Sequence, residues 1–228
     1  MPLSPLQQIR LDMDRAADAA GRPHAQLLAV SKTQPAEAVA ALAAQGQHAF
    51  GENYVQEAAA KIAALAEAGL EWHLIGHLQS NKAELAATLF DWVQTVDRPK
   101  LVAALAKGRA SARAPLNVLI QVNIDDEASK HGCQPDAVDA LAAAIVAQPA
   151  LALRGLMAIP APWPEAARRI DAFARMHALF ARLRAAHPQV DTLSMGMSGD
   201  FADAIAAGAT MVRVGTALFG ARGPRVAG

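Results

Sequence analysis

Cysteine occurs once in these 228 residues, at Cys133. One thiol excludes an internal disulfide and a cysteine-built metal cluster, and it fits a reducing compartment. Neither sign of charge is in excess, since 21 Lys and Arg meet 21 Asp and Glu. A balanced surface does not draw in a polyanion, so nucleic acid is not an expected partner, and any bound phosphate should be small and locally held. No apolar run is long enough to span a bilayer. The N-terminal segment carries Asp12 and Asp14 and lacks a signal-peptide layout, so a cytoplasmic location without membrane attachment is expected. Linkers and low-complexity segments are missing too, which favours one domain. Tyrosine also occurs once, at Tyr54, and that scarcity matters for catalysis.

What is present is a strongly apolar chain, 53% hydrophobic, long enough to bury about 70–75% of its unfolded surface. Ser4-Pro5-Leu6-Gln7 has the form of a capping box with proline at the first helical position. Leu6, Ile9 and Met13 follow at helical spacing before Gly21 and Pro23. This predicts an N-terminal helix within residues 1–22, laid over one end of the fold. Short apolar strands then alternate with alanine-rich helices. The strands are expected at 26–31, 48–50, 72–75, 91–96, 116–123, 151–157, 191–195 and 210–214. Strict alternation implies parallel strands with right-handed crossovers, and eight units in roughly 200–250 residues fit a closed (βα)8 barrel of the TIM type. An open doubly wound sheet would usually carry a Gly-rich dinucleotide turn after its first strand, and none follows Lys32. The expectation is one domain over residues 1–228, with 221–228 as a loose tail.

In such a barrel, chemistry collects at the carboxyl ends of the strands. The strand-to-helix turns therefore gather Lys32, Asn53, His77, Asn81, Asn123, Ser198, Arg213 and Gly215 at one mouth. Side chains alternate along a strand, so Lys32 continues the face of Leu28 and Val30. A lysine in a partly dry mouth can attack a carbonyl, although strand ends also carry ordinary surface lysines. Met195-Gly196-Met197-Ser198-Gly199 and Val214-Gly215-Thr216 read as turns of small residues before helices, suited to a phosphate. Arg213, between Val212 and Val214, faces the interior, where it needs an ion-pair partner or a ligand. Lysine, phosphate cradle and inward arginine describe a site for a phosphorylated aldehyde. A sugar phosphate and pyridoxal phosphate both satisfy it.

Several stretches carry a resemblance. Leu28-Ala29-Val30-Ser31-Lys32-Thr33, Phe50-Gly51-Glu52-Asn53-Tyr54-Val55-Gln56-Glu57, and Trp72-His73-Leu74-Ile75-Gly76-His77-Leu78-Gln79-Ser80-Asn81-Lys82 belong to the first half. Arg154-Gly155-Leu156-Met157, Leu193-Ser194-Met195-Gly196-Met197-Ser198 and Val212-Arg213-Val214-Gly215-Thr216-Ala217-Leu218-Phe219-Gly220 belong to the second. Together they resemble the YggS/PROSC family of pyridoxal phosphate homeostasis proteins, over about Leu27 to Arg222. The resemblance implies a single barrel similar to the N-terminal domain of alanine racemase. It implies that Lys32 carries pyridoxal 5'-phosphate as a Schiff base, that Arg213 meets the pyridine nitrogen, and that Ser198, Gly215 and Thr216 hold the phosphate. Met197, Asn53 and Asn81 would lie around the ring and phosphate. The family often has a tyrosine where Pro224 stands here, which leaves any tail-closing role of that tyrosine in doubt.

The implied role is intracellular cofactor homeostasis, by buffering or delivery, without robust catalysis. A permanently charged arginine at the ring nitrogen does not readily protonate it, which weakens the ring as an electron sink. A racemase also needs a second base opposite Lys32. Related racemases take a tyrosine from a second domain, none is expected here, and Tyr54 and His77 are the substitutes in reach. A low-activity amino-acid racemase is the alternative, and a Schiff-base lyase on sugar phosphates the third reading. His73 and His77 lack an obviously spaced third metal ligand, so no metal is expected. Lys82 and Lys130 are mouth-side candidates for a second cofactor molecule, or solvated loop lysines. Pyridoxal phosphate-dependent apo-enzymes are the conceivable transient acceptors. No exposed apolar stripe demands a subunit partner, and a monomer is expected.

Overall fold

The computed structural model describes residues 2–109, 113–127 and 130–220. Ser4 accepts from the Gln7 backbone N–H and the Gln7 side chain accepts from that of Ser4, so the capping box forms and starts α1, Pro5–Ala20. Gly21, left-handed at φ 61°, ends it. Eight strand–helix units follow. They comprise β1 (Gln26–Val30), α2 (Ala36–Ala43), β2 (Ala49–Glu52), α3 (Val55–Ala64), β3 (Glu71–Leu74), α4 (Ala83–Leu89), β4 (Trp92–Val96) and α5 (Pro99–Gly108). The second half comprises β5 (Leu116–Val122), α6 (Val138–Val146), β6 (Leu151–Ala158), α7 (Ala166–Ala186), β7 (Thr192–Met197), α8 (Phe201–Ala206), β8 (Met211–Val214) and α9 (Thr216–Phe219). Every strand pairs in parallel with its neighbours in sequence, and β8 returns to β1, so the sheet closes in the order β1 to β8.

Strand parity divides the core. On β5, Val118, Ile120 and Val122 join the large outer core beneath the helices, while Leu119 packs inside with Trp92 and Met157. Leu28, Ala49 and Met211 form a second plug inside the barrel. Leu6, Ile9, Met13 and Ala17 bury one stripe of α1, which lies against α8 and α9. Cys133 is buried, and burial pushes its thiol up to about 11, which makes it unreactive near neutrality.

Two strands run two residues further than the sequence suggests. Gly51 and Glu52 extend β2, pairing with His73 and Leu74. Gly196 and Met197, expected in a turn, belong to β7. The β7–β8 register shifts between Ser194 and Met197, Gly196 takes φ 93°, and Met197 pairs with Arg213. A glycine that reads as a turn here serves an irregular strand, because only glycine accepts that φ without strain. The expected tail, with Arg222 and Pro224, lies outside the described residues.

Candidate functional site

Lys32 stands two residues beyond β1, at the carboxyl end of the barrel. Val30 leads its side chain into a cavity of about 200 Å³ that also receives Asn53, Met197, Ser198, Arg213, Gly215 and Thr216. Seven of the eight residues expected to touch a ligand therefore line one cavity. Asn81 does not. It is exposed in the short 3-10 turn Ser80–Lys82 after β3, because that turn swings outward before α4 begins. Ile75 and Ile159 complete the walls. Neither was singled out in the sequence, since an apolar residue at or beyond a strand end carries no signal of its own.

Beneath the cavity, Arg213 is 4% exposed. One guanidinium nitrogen donates to Ser194 Oγ at 2.8 Å and another to the Ala158 carbonyl at 2.8 Å. Burial draws its value down to about 10, with Asp200 pulling the other way, so it remains a cation at neutral pH. The ion-pair partner that a buried arginine requires is not among its contacts. Both recorded partners are neutral, which leaves a cation facing the cavity.

Next to Arg213, the ends of β7 and β8 supply small donors. Asp200 accepts from the Met197 N–H at 2.6 Å and its own N–H donates to the Met197 carbonyl, which closes the turn that presents Ser198. The Gly215 carbonyl accepts from Leu218 and Phe219 as α9 begins. A Cβ added at Gly215 would lie 3.2 Å from the Val30 carbonyl oxygen, so the close approach of this turn to β1 favours glycine. These residues fit a small phosphorylated aldehyde: an amine for the carbonyl, hydroxyls and small backbone for the phosphate, and a buried cation for a ring acceptor.

Behind Lys32, on the outer side of the sheet, lies a second set of charges that sequence reading missed. Lys61 Nζ, on α3, donates to the Ser31 carbonyl at 2.7 Å, to Glu52 at 2.8 Å and to Glu57 at 2.7 Å. Ser31 Oγ donates to Glu52 at 2.5 Å, and Glu57 accepts from the Thr33 N–H at 2.6 Å. Burial lifts the Glu52 carboxyl above its ordinary value against the pull of Lys61 and Ser31. Both neighbours of Lys32 are thus held by one buried cluster.

The remaining candidates fall beside the cavity. Tyr54, 59% exposed, and His77 line a neighbouring cleft of about 450 Å³ with Lys82, and Asn53 is shared between the two. His77 and His131 stack with centroids 3.6 Å apart and planes 15° apart. With Asp97 they form the one group of three possible metal-binding side chains among the described residues, with ligand atoms within 4.8 Å of one another. Stacked imidazoles aim their in-plane lone pairs side by side rather than at one ion, and Asp97 is already paired with Arg98. Lys130 is tied to Glu127 and to the carbonyls of Ile159 and Pro160. Asn123 uses its amide to shape the following loop, bonding Glu127 at both ends.

A strand-end lysine and a buried arginine thus border one small cavity in a closed eight-stranded barrel. The family model described as alanine racemase, N-terminal domain, matches residues 5–223. Relatives over almost the whole length are more specific. The pyridoxal phosphate homeostasis protein of Pasteurella multocida is 53% identical over 223 residues, covering 95% of this chain and 96% of that one. Its counterpart in Escherichia coli K12 is 52% identical over 222 residues, covering 95% of each. The solved structure of PipY from Synechococcus elongatus with PLP bound is 38% identical, with a TM-score of 0.79, covering 92% of this chain and all of that one. This chain belongs to the family of pyridoxal phosphate homeostasis proteins.

Proposed function

We propose that the protein binds pyridoxal 5'-phosphate in the 200 Å³ cavity and serves cofactor homeostasis, by buffering or delivery, rather than sustained catalysis. The observation that carries this reading is the convergence of Lys32 and the buried Arg213 on one small cavity with the Ser198 and Thr216 hydroxyls. The Lys32 amine condenses with the cofactor aldehyde, forming a carbon–nitrogen double bond and releasing water, and hydrolysis or exchange with another amine reverses it. Arg213 donates to the pyridine nitrogen. Ser198, Gly215 and Thr216 hold the phosphate, while Met197 and Asn53 flank the ring. Asn81 has no part in this set. The PLP-bound relative supports the assignment of the ligand.

When bound, the cofactor supplies an electron-withdrawing ring, and this cavity restrains it. Arg213 stays protonated and does not hand its proton to the ring nitrogen. Among the described residues lining the cavity, the titratable side chains are Lys32 and Arg213 alone. Tyr54 and His77 lie in the adjoining cleft. A second base opposite Lys32, which racemisation requires, therefore has no candidate within the cavity. We further propose that the protein acts in the cytoplasm as a monomer, with apo-enzymes as transient acceptors. The single buried cysteine agrees with a reducing compartment, and no helix among the described residues is long and apolar enough to cross a membrane.

The test combines colour with turnover. Wild-type protein should take up pyridoxal phosphate with a visible absorption band that Lys32→Ala abolishes, while common L-amino acids keep their configuration. An equally coloured Lys32→Ala variant contradicts the binding mode. Sustained racemisation lost with the same substitution favours the racemase alternative.

A further inference from the structure

Arg213 is the first member of a hydrogen-bonded chain that crosses the inside of the barrel. Its direction can be worked out from the far end. The Glu71 carboxylate only accepts, and it lies 2.8 Å from His73 Nε2. Burial holds the wholly enclosed His73 below the ordinary imidazole value, so one ring nitrogen carries the single proton. That proton is on Nε2, and Nδ1 must accept. The group 2.9 Å from Nδ1 is the Gln94 side-chain amide, which therefore presents its NH2 to His73 and its carbonyl to Ser194. Ser194 Oγ donates its one proton to that carbonyl at 2.7 Å and accepts from Arg213 at 2.8 Å. Every link donates in the same sense, from guanidinium to carboxylate.

Ser194, Gln94 and His73 are each fully buried, and His73 is stacked on Trp92 at 5.1 Å with planes 9° apart. The Glu71 side chain is 39% exposed and borders a separate cavity of about 480 Å³ that Arg10, Met13 and Gln26 also line. Four strands thus carry the line across the barrel: β8, β7 and β4 contribute Arg213, Ser194 and Gln94, and β3 contributes both His73 and Glu71. Buried polar groups are costly unless satisfied. These are satisfied in only one order, which sets the plane and the free N–H direction of the guanidinium at the cavity floor.

We propose that Ser194, Gln94, His73 and Glu71 are positioning residues of the cofactor site, which aim Arg213 at the ring nitrogen and transmit the Glu71 charge to it through aligned dipoles. The proposal rests on the reading of the cavity as a pyridoxal phosphate site. Its test uses His73→Phe, which keeps a flat ring against Trp92 but removes both hydrogen bonds. His73→Gln retains one acceptor and one donor. Glu71→Gln retains an acceptor without the charge, at a position outside the cavity.

The measurements are the dissociation constant for pyridoxal phosphate, the absorption maximum of the bound cofactor, and the melting temperature without cofactor. His73→Phe should weaken binding about tenfold and move the absorption maximum, as losses of supporting hydrogen bonds do. His73→Gln should recover most of both. Glu71→Gln should melt like wild type and still bind about threefold more weakly, with a smaller spectral displacement, because only the transmitted charge is lost. Glu71→Gln with wild-type affinity and an unmoved maximum overturns the proposal even if His73→Phe fails to fold. So does a folded His73→Phe that loads like wild type. Wild-type protein that never loads overturns the cofactor reading itself, and this proposal with it.

Discussion

Lys32 owes its place to residues that never meet the ligand. Its neighbours Ser31 and Thr33 are pinned from behind by Glu52, Glu57 and Lys61, and Thr33 is held at φ 65°, a conformation that threonine seldom adopts unaided. The cluster spends buried charge on backbone precision, which the Schiff-base role proposed for Lys32 needs because its amine must reach a fixed carbonyl carbon. Lys61→Met would leave Glu52, 0% exposed, without its cation. We expect a loss of about 3 kcal/mol in urea unfolding, together with slower and weaker cofactor uptake at Lys32. A stability close to wild type would show that the cluster is ornamental. Lys32 and Arg213 were legible in sequence because parity on an apolar strand marks the odd polar residue. Lys61 was not. A lysine inside a helix reads as solvent-facing, and its partner carbonyl lies 30 residues away.

At the scale of elements, β7 shows why the candidate phosphate turn sits where it does. Gly196 at φ 93° lets the strand shift register and still bring Met197 beside Arg213. A Cβ there would come within 2.5 Å of the Ala204 Cβ on α8, so the helix packs directly on the glycine. Gly196→Ala combines backbone strain with overpacking and should cost about 3 kcal/mol. It should also weaken phosphate-dependent binding, read as a narrowed preference for pyridoxal phosphate over pyridoxal. A variant with unchanged stability would contradict this role of the glycine in the strand irregularity. The existence and order of all eight strands followed from the sequence pattern, because each apolar run is bounded by turn residues. The ends of β2 and β7 did not, since glycine punctuates turns and irregular strands alike. That Asn81 lies outside the cavity was illegible for a related reason: a turn after a strand can face inward or outward, and residue type does not decide which.

For the whole molecule, closure of the barrel turns eight scattered strand ends into one mouth, and the interior polar line from Glu71 to Arg213 joins that mouth to the opposite end. One cavity holds a lysine facing a buried cation, Lys130 is committed to Glu127 and two carbonyls, and Lys82 belongs to the open cleft alongside. The most direct measurement is mass spectrometry of the pyridoxal phosphate-loaded protein after borohydride reduction, first intact and then as peptides. The account predicts one reduced adduct per chain, on the peptide that carries Lys32. An adduct spread over Lys82 and Lys130, or absent from Lys32, would contradict it.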